Sequence, residues 1–235
     1  MRHTIGIDTI QRKMADGLLE EVRSLPRESF DRYSNPFEQK WTYRDKHELP
    51  PECERMMAAM ESVWLASARA LFRIPDLRAD LTRHWAGLFI YDEGDWLRVH
   101  VDAGVHPHTA QFKAVTVLLY LGNGEGDLEF WNGTDCSLNS PHVEELAVRV
   151  TPKHGMVVMF ENTDFAWHGI EVNRGPVPRT VMTVSYVSDS VLPDHSNVRQ
   201  RAYFVPRPNE RWNDAITALR DQRADSKAFA GAYRT

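Results

Sequence analysis

The sequence predicts a mainly β protein braced by helices on either side of its β core. Between Leu88 and Val187 the chain passes through six short β-rich runs, most of them separated by turn residues, and many short strands with such punctuation indicate a β-sandwich or barrel. Ahead of them apolar residues recur at helical spacing, and after them one more helix is expected, roughly over Glu210 to Arg223.

In chain order, Ile10, Met14, Leu18 and Val22 recur every four residues and predict a first helix, with Asp8 or Thr9 as its cap. Glu28 to Leu49 is polar and aromatic, contains Pro36 and has no clear period, so it reads as a long loop. Pro50-Pro51-Glu52 opens a second helix with Met56, Met60, Val63, Trp64 and Leu71 on one face, and Pro75 ends it. The strand runs are Leu88–Tyr91, Phe112–Leu121, Leu128–Trp131, Val148–Val150, Met156–Phe160 and Thr180–Val187, with a clear break at Gly122-Asn123-Gly124-Glu125-Gly126. The late helix carries Trp212, Ile216 and Leu219 on one face.

With 235 residues, 42% of them hydrophobic, the chain is long enough for one sizeable core. One domain over 1–235 is expected: helical support and lid over 1–80, the β core over 81–190 and an extension over 191–235. The net charge of -5 offers no basic footprint for nucleic acid. No apolar run approaches the about 18–20 residues of a membrane span. Met1 is followed by no signal-peptide core, and Cys53 and Cys136 supply no disulfide framework, so a reducing cytoplasm is the expected setting. The oligomeric state is not legible.

The chemistry concentrates at Tyr91 to Asp102. His100 and Asp102 are two apart, and on a strand end such residues project to the same side, so an imidazole and a carboxylate converge on one cation. His168 lies 66 residues beyond Asp102, after several strands, and a closed β architecture brings it back beside the pair. Two histidines and a carboxylate form the facial triad of non-haem Fe(II) oxygenases, which leaves coordination positions open. Two other readings stand beside this one: a strand histidine with a turn-forming aspartate, and a local zinc cluster of His100, Asp102, His106 and His108. Arg179, eleven residues after His168, opens the last strand and has the fork to grip a carboxylate, with Arg174 as the competing candidate.

Taken together, Tyr91-x2-Gly94-x5-His100-x-Asp102, Lys113-x2-Thr116-x-Leu118-Leu119-Tyr120-Leu121, Gly126-Asp127-Leu128-Glu129-Phe130, His168-Gly169 and Arg179 resemble the Fe(II)/2-oxoglutarate-dependent oxygenases, in their prolyl-4-hydroxylase-like branch. The resemblance spans roughly residues 88–187 and implies a double-stranded β-helix, a jelly-roll barrel related to the cupins. It implies Fe(II) on His100, Asp102 and His168, with 2-oxoglutarate as co-substrate and O2 as oxidant. It also implies an anchor for the far 2-oxoglutarate carboxylate at Arg179, and further co-substrate contacts at Tyr91, Tyr120 and Thr183. Halogenating relatives replace the triad carboxylate with a small residue; Asp102 is retained, which favours hydroxylation, desaturation or cyclisation.

Substrate walls are expected from Phe30 to His47, Ala103 to Gln111 and Gly133 to Glu145. The candidate substrate contacts are Arg32, Trp41, Arg44, His106, His108, Glu129 and Trp131. The expected substrate is a polar small molecule such as an amino acid, a sugar or an antibiotic-biosynthesis intermediate. The alternatives are a prolyl-type protein hydroxylase and a non-catalytic cupin-like metal- or sugar-binding module.

Overall fold

The runs that read as strands pair with one another in a single curled antiparallel sheet. A computed structural model describes residues 4–225. Its elements are β1 (Ile5–Thr9), α1 (Arg12–Ser24), β2 (Phe30–Asn35), β3 (Glu38–Tyr43), α2 (Pro51–Ser62), α3 (Leu65–Phe72), β4 (Arg78–Ala79), β5 (Gly87–Tyr91), β6 (Trp96–Val101), β7 (Phe112–Leu121), β8 (Leu128–Gly133), β9 (Val143–Val150), β10 (Met156–Glu161), β11 (Trp167–Ile170), β12 (Arg179–Ser188), β13 (Tyr203–Phe204) and α4 (Asp214–Asp225). The sheet order is β1-β10-β7-β12-β5-β3-β6-β11-β8-β9, with β13 on β6, β2 on β3 and β4 on β12. The curl brings distant positions in that order together. Phe160 of β10 meets Phe130 of β8 at 5.2 Å and His168 of β11 at 4.7 Å between ring centres.

The two-residue period of β7 explains the layering. Val115, Val117, Leu119 and Leu121 point outward into a core shared with Ala15, Leu18 and Val22 of α1 and Met56, Met57 and Met60 of α2. Thr116 and Leu118 point the other way, into the hollow of the curl. In α1 the residue that turns inward is Ala15, and Met14 is half-exposed; steps of four drift about 40° each around a 3.6-residue helix, so the stripe rotates off the predicted line. Neither Asp8 nor Thr9 caps α1. Both lie in β1, and Asp8 accepts a hydrogen bond from the Trp64 indole at 2.8 Å.

The second predicted helix is two. Pro51 stands in the first turn of α2, and Glu21 of α1 accepts from the backbone N–H of Glu52 and Cys53 at 3.0 and 2.8 Å. This serves donors that a helix start leaves orphaned, a contribution of about 1 kcal/mol. A turn at Val63 and Trp64 then changes the phase, which leaves Val63 and Leu71 exposed rather than on the buried face. α3 ends on Arg73 in the left-handed region, ahead of Pro75.

The segment expected to be a loop, Glu28 to Leu49, holds a hairpin instead. β2 and β3 pair from Phe30↔Tyr43 to Asn35↔Glu38, and Asn35 Oδ1 accepts from the N–H groups of Phe37 and Glu38 across the turn. β3 is the strand that joins the two halves of the sheet, pairing with β5 at Trp41↔Ile90 and with β6 at Glu38↔Leu97. α4 begins at Asp214, later than expected, and Trp212 packs against Phe37 ahead of it. Among the described residues, no helix is long and apolar enough to cross a membrane.

Candidate metal centre and co-substrate cavity

The hollow of the curl is a cavity of about 240 Å³. β6 delivers His100 and, just past its end, Asp102; β11 delivers His168 directly opposite His100 in register. The two rings are 4.3 Å apart between centres. One ligand atom from each of His100, Asp102 and His168 lies within 4.8 Å of the others, and among the described residues this is the group of three that can hold a metal ion. Four residues of β6, Leu97 to His100, span three of β11, His168 to Ile170, so β6 bulges there. The bulge presses on Gly169, where a Cβ would stand 3.1 Å from both Leu97 O and Val99 N. The glycine after His168 thus lets β11 approach closely enough to present the histidine.

Both imidazoles are oriented by backbone. His100 Nδ1 is 2.9 Å from Arg98 O, and His168 Nδ1 is 2.8 Å from Ala166 O. A ring nitrogen facing a carbonyl carries the proton, so each Nε2 keeps its lone pair for a metal. Burial, followed by the charge of His100, pushes the His168 pKa down to about 3, and the ring is neutral at physiological pH. Burial raises the Asp102 carboxyl, but Lys113 and the His100 hydrogen bond outweigh it and hold the group well below the usual carboxylate range. Lys113 Nζ donates to Asp102 Oδ2 at 2.6 Å and Thr116 Oγ1 donates to the same oxygen at 3.2 Å. Oδ1 faces His100 Nε2 at 3.4 Å. Asp102 therefore has one oxygen held by protein and the other directed at the cluster.

At the other end of the cavity stands Arg179, only 1% exposed. Its Nη2 donates to Tyr120 Oη at 3.0 Å, and Tyr91 and Tyr120 flank the guanidinium at 5.4 and 4.9 Å. Its Nε and Nη1 are buried without a partner. An arginine cannot shed its charge, so two buried unpaired donors are costly and mark the place of an anion. Burial raises the pKa of both tyrosines, so both phenols are neutral. Thr183 lines the same cavity and donates its hydroxyl to Val117 O at 3.1 Å. Arg174, the competing anchor, is exposed and borders a different groove. The donor set and the orphaned guanidinium fit a divalent metal beside a dicarboxylate.

The substrate contacts proposed from sequence are not gathered here; none of the seven lines this cavity. Arg32 grips Asp95 through both nitrogens at 2.6 Å, and the Trp41 indole donates to Asp92 at 2.9 Å. Arg44 is spent on Asp31 and Glu28 O. His106 holds its own loop: Nε2 meets Thr82 Oγ1, and Nδ1 accepts from the N–H of His108 and Thr109. The zinc cluster with His106 and His108 does not assemble. Glu129 and Trp131 occupy the wrong phase of β8, because Phe130 takes the inward position opposite His168. Glu129 instead receives Arg207 at 2.8 Å in an outer groove of about 460 Å³ whose glutamates pair with its arginines. The loops Ala103 to Gln111 and Gly133 to Glu145 add no wall.

Sequence reading named no individual role for Lys113, Glu38, Lys40, Trp85, Phe89, Phe204 or Arg223, all of which line the cavity, although Glu38 and Lys40 fall within the Phe30 to His47 stretch expected to form a wall. The charged pair two apart on β3 was the one available signal.

Residues 86–186 match the family model of the 2OG-Fe(II) oxygenase superfamily. The match covers the β core, from just before β5 to within β12. Its fold is similar to that of a Pseudomonas putida prolyl-4-hydroxylase (18% identity, TM-score 0.54, covering 80% of this chain and 95% of that one). It is also similar to HygX from Streptomyces hygroscopicus, solved with nickel, 2-oxoglutarate and hygromycin B (14%, TM-score 0.55, 81% and 85%). A third similar fold is SnoN, the non-heme α-ketoglutarate-dependent epimerase of nogalamycin biosynthesis (15%, TM-score 0.60, 90% and 88%). No curated protein matches the chain by sequence. The curled sheet has the double-stranded β-helix fold of these 2-oxoglutarate oxygenases, and the match to the family model supports a 2-oxoglutarate-dependent non-haem iron dioxygenase.

Proposed function

We propose that this oxygenase hydroxylates a polar small molecule, with iron on His100, Asp102 and His168 and the far carboxylate of 2-oxoglutarate on Arg179. The observation that carries the reading is the buried Arg179, which lines the cavity that holds the triad and has two nitrogens, Nε and Nη1, without a partner. Tyr120 fixes the guanidinium plane, so the fork is set for a carboxylate before it arrives. His100 and His168 present Nε2, and Asp102 presents Oδ1 while Lys113 holds Oδ2. Bound Fe(II) supplies the oxygen chemistry that attacks an unactivated C–H bond. Leu118, Leu128, Ile170 and Val181 wall the cavity and exclude water. The β3 hairpin lies over the gap between β5 and β6, which favours a small molecule over a protein strand.

The test is succinate formation from 2-oxoglutarate by the Fe(II)-loaded enzyme, with a panel of polar small molecules followed by mass spectrometry. The expected result is slow succinate formation alone, accelerated by the substrate, which gains one oxygen. An iron-loaded enzyme that makes no succinate under any condition rejects the reading.

A further inference from the structure

Asp102 stands one residue past the end of the sheet. The ladder between β6 and β13 closes at the pair Val101↔Tyr203, so Asp102 lies beyond the strand pairing that fixes His100. Its carbonyl is taken by a side chain: Asn197 Nδ2 donates to Asp102 O at 3.0 Å. Asn197 belongs to the segment between β12 and β13 and is 8% exposed. That segment lies directly on the chain beyond Asp102. Gly104 N donates to Arg199 O at 2.9 Å, and a Cβ on Gly104 would stand 1.8 Å from Asn197 O. Only glycine admits so close an approach of backbone to backbone.

The two ends of the Asn197 amide do different things. Oδ1 accepts from Arg199 N at 3.0 Å, the turn that asparagine, aspartate or serine forms with the backbone two residues on. That turn needs only the oxygen, and Nδ2 is spent on Asp102. Because one end faces an N–H and the other a carbonyl, the amide has a single orientation. The main chain of Asn197 is held in turn by Asp164, which is 2% exposed. Asp164 Oδ1 accepts from Asn197 N at 2.9 Å, and Oδ2 accepts from Ser196 N and Ser196 Oγ, both at 2.7 Å. Asp164 lies in the turn that leads into β11, four residues before His168. The same turn supplies Ala166 O, which orients the His168 ring. A continuous set of hydrogen bonds outside the sheet therefore runs from the turn ahead of His168, through Asp164 and Asn197, to Asp102.

We propose that Asn197 is a positioning residue for the metal ligand Asp102, and that Asp164 ties it to the turn that presents His168. Lys113 and Thr116 hold the Asp102 carboxylate; Asn197 holds the backbone from which that carboxylate springs. A ligand at a strand end keeps its aim only if its backbone is held as well, and partners of this kind set metal affinity and geometry. This proposal rests on the reading of His100, Asp102 and His168 as a metal site.

The test uses the full chain with 2-oxoglutarate, loaded with Mn(II) for affinity by calorimetry and with Co(II) for its visible absorption, which reports ligand geometry. Asn197→Ser keeps the turn at Arg199, but its hydroxyl is a bond too short for the Asp102 carbonyl. It is expected to bind Mn(II) about tenfold more weakly and to shift the Co(II) bands. Asn197→Asp keeps the turn and the size and replaces the donor by an oxygen; the same spectral shift is expected, and it decides the matter if the serine variant does not fold. Ser196→Ala loosens the same segment, leaves the Asn197 contacts in place, and is expected to match the wild type in both readouts. Wild-type affinity and an unshifted spectrum in the Asn197 variants overturn the proposal. So does an equal loss in Ser196→Ala, since general loosening of the segment then accounts for it. A wild-type chain that takes up neither ion overturns the proposal together with the metal reading, and the wild-type titration alone tells the two failures apart.

Discussion

His100 and His168 face each other across the paired strands β6 and β11, ring centres 4.3 Å apart, at the point where β6 carries an extra residue. Gly169 makes that approach possible. In Gly169→Ala the new methyl meets backbone atoms Leu97 O and Val99 N at 3.1 Å, and backbone yields only by separating the strands. The variant is expected to lose about 1–3 kcal/mol of stability. Its metal affinity is expected to fall about tenfold or more. Urea unfolding and Mn(II) titration measure the two effects.

Arg179 and Arg174 separate under titration with 2-oxoglutarate. Arg179→Ala removes the buried fork, and a charge-assisted pair of roughly 1.5–3 kcal/mol predicts a 2-oxoglutarate requirement raised about 10- to 150-fold. Arg179→Lys keeps the charge and loses the geometry, so it is expected to fall between the two. Arg174→Ala, exposed in the starting structure, is expected to leave the requirement unchanged. Succinate formation against 2-oxoglutarate concentration ranks the three, and the reverse ranking of the alanine variants reassigns the anchor.

Lys113 positions Asp102 by holding Oδ2. Lys113→Met removes the cation that does most to keep the carboxyl low, so the Asp102 pKa rises while its burial persists. A depressed carboxyl contributes stability above its unfolded value and loses it as pH falls through the folded one. The same sign governs metal retention: in the variant, protons displace the metal at a higher pH. The expected outcome is Mn(II) affinity about tenfold weaker near neutrality, with the acid midpoint of metal release moved upward. A purely structural lysine would lower stability and leave that midpoint in place.

His168 gives the metal-free protein a pH signature of its own. Its folded pKa of about 3 lies below the unfolded value of about 6.5, so between these values the unfolded chain binds the extra proton. Stability is fully present above about pH 6.5 and declines toward pH 3, with a slope of at most about 1.4 kcal/mol per pH unit from this residue. His168→Gln is expected to flatten the decline. Urea midpoints of both proteins between pH 4 and 7, with metal removed by chelator, make the comparison, and parallel curves would place the proton elsewhere.

The sequence showed some of these elements clearly and hid others for a physical reason. β7 was read at both its ends, and β12 within one residue of each, because the outward faces of both strands are apolar and glycine or proline stands nearby. The hairpin of β2 and β3 was hidden because its inward residues, Glu38 and Lys40, face a polar cavity, so the usual apolar-in alternation is inverted. The triad was legible because His-x-Asp shares one side of a strand; the return of His168 depended on the curl, and the structure brings the three together. The aromatic and basic residues Arg32, Trp41 and Arg44 have the composition of a binding loop but sit on pairs and caps of their own. Composition does not carry the phase of a strand.

Glu129 shows what that phase decides. Shifted by one residue it would face the iron site; in the structure it is 2% exposed in the outer groove, with Arg207 at 2.8 Å and Arg149 at 3.6 Å. Removing one partner of a buried ion pair leaves a carboxylate without its main cation, which costs more than the pair itself contributes. Arg207→Met is therefore expected to destabilise the fold by about 2–3 kcal/mol, less than a full break because Arg149 remains. Glu129→Gln keeps the shape, still accepts a hydrogen bond from Arg207, and is expected to cost less. Because neither side chain touches the inner cavity, both variants should retain the wild-type 2-oxoglutarate requirement in the succinate assay. A raised requirement in a variant that remains folded would bring Glu129 back to the site.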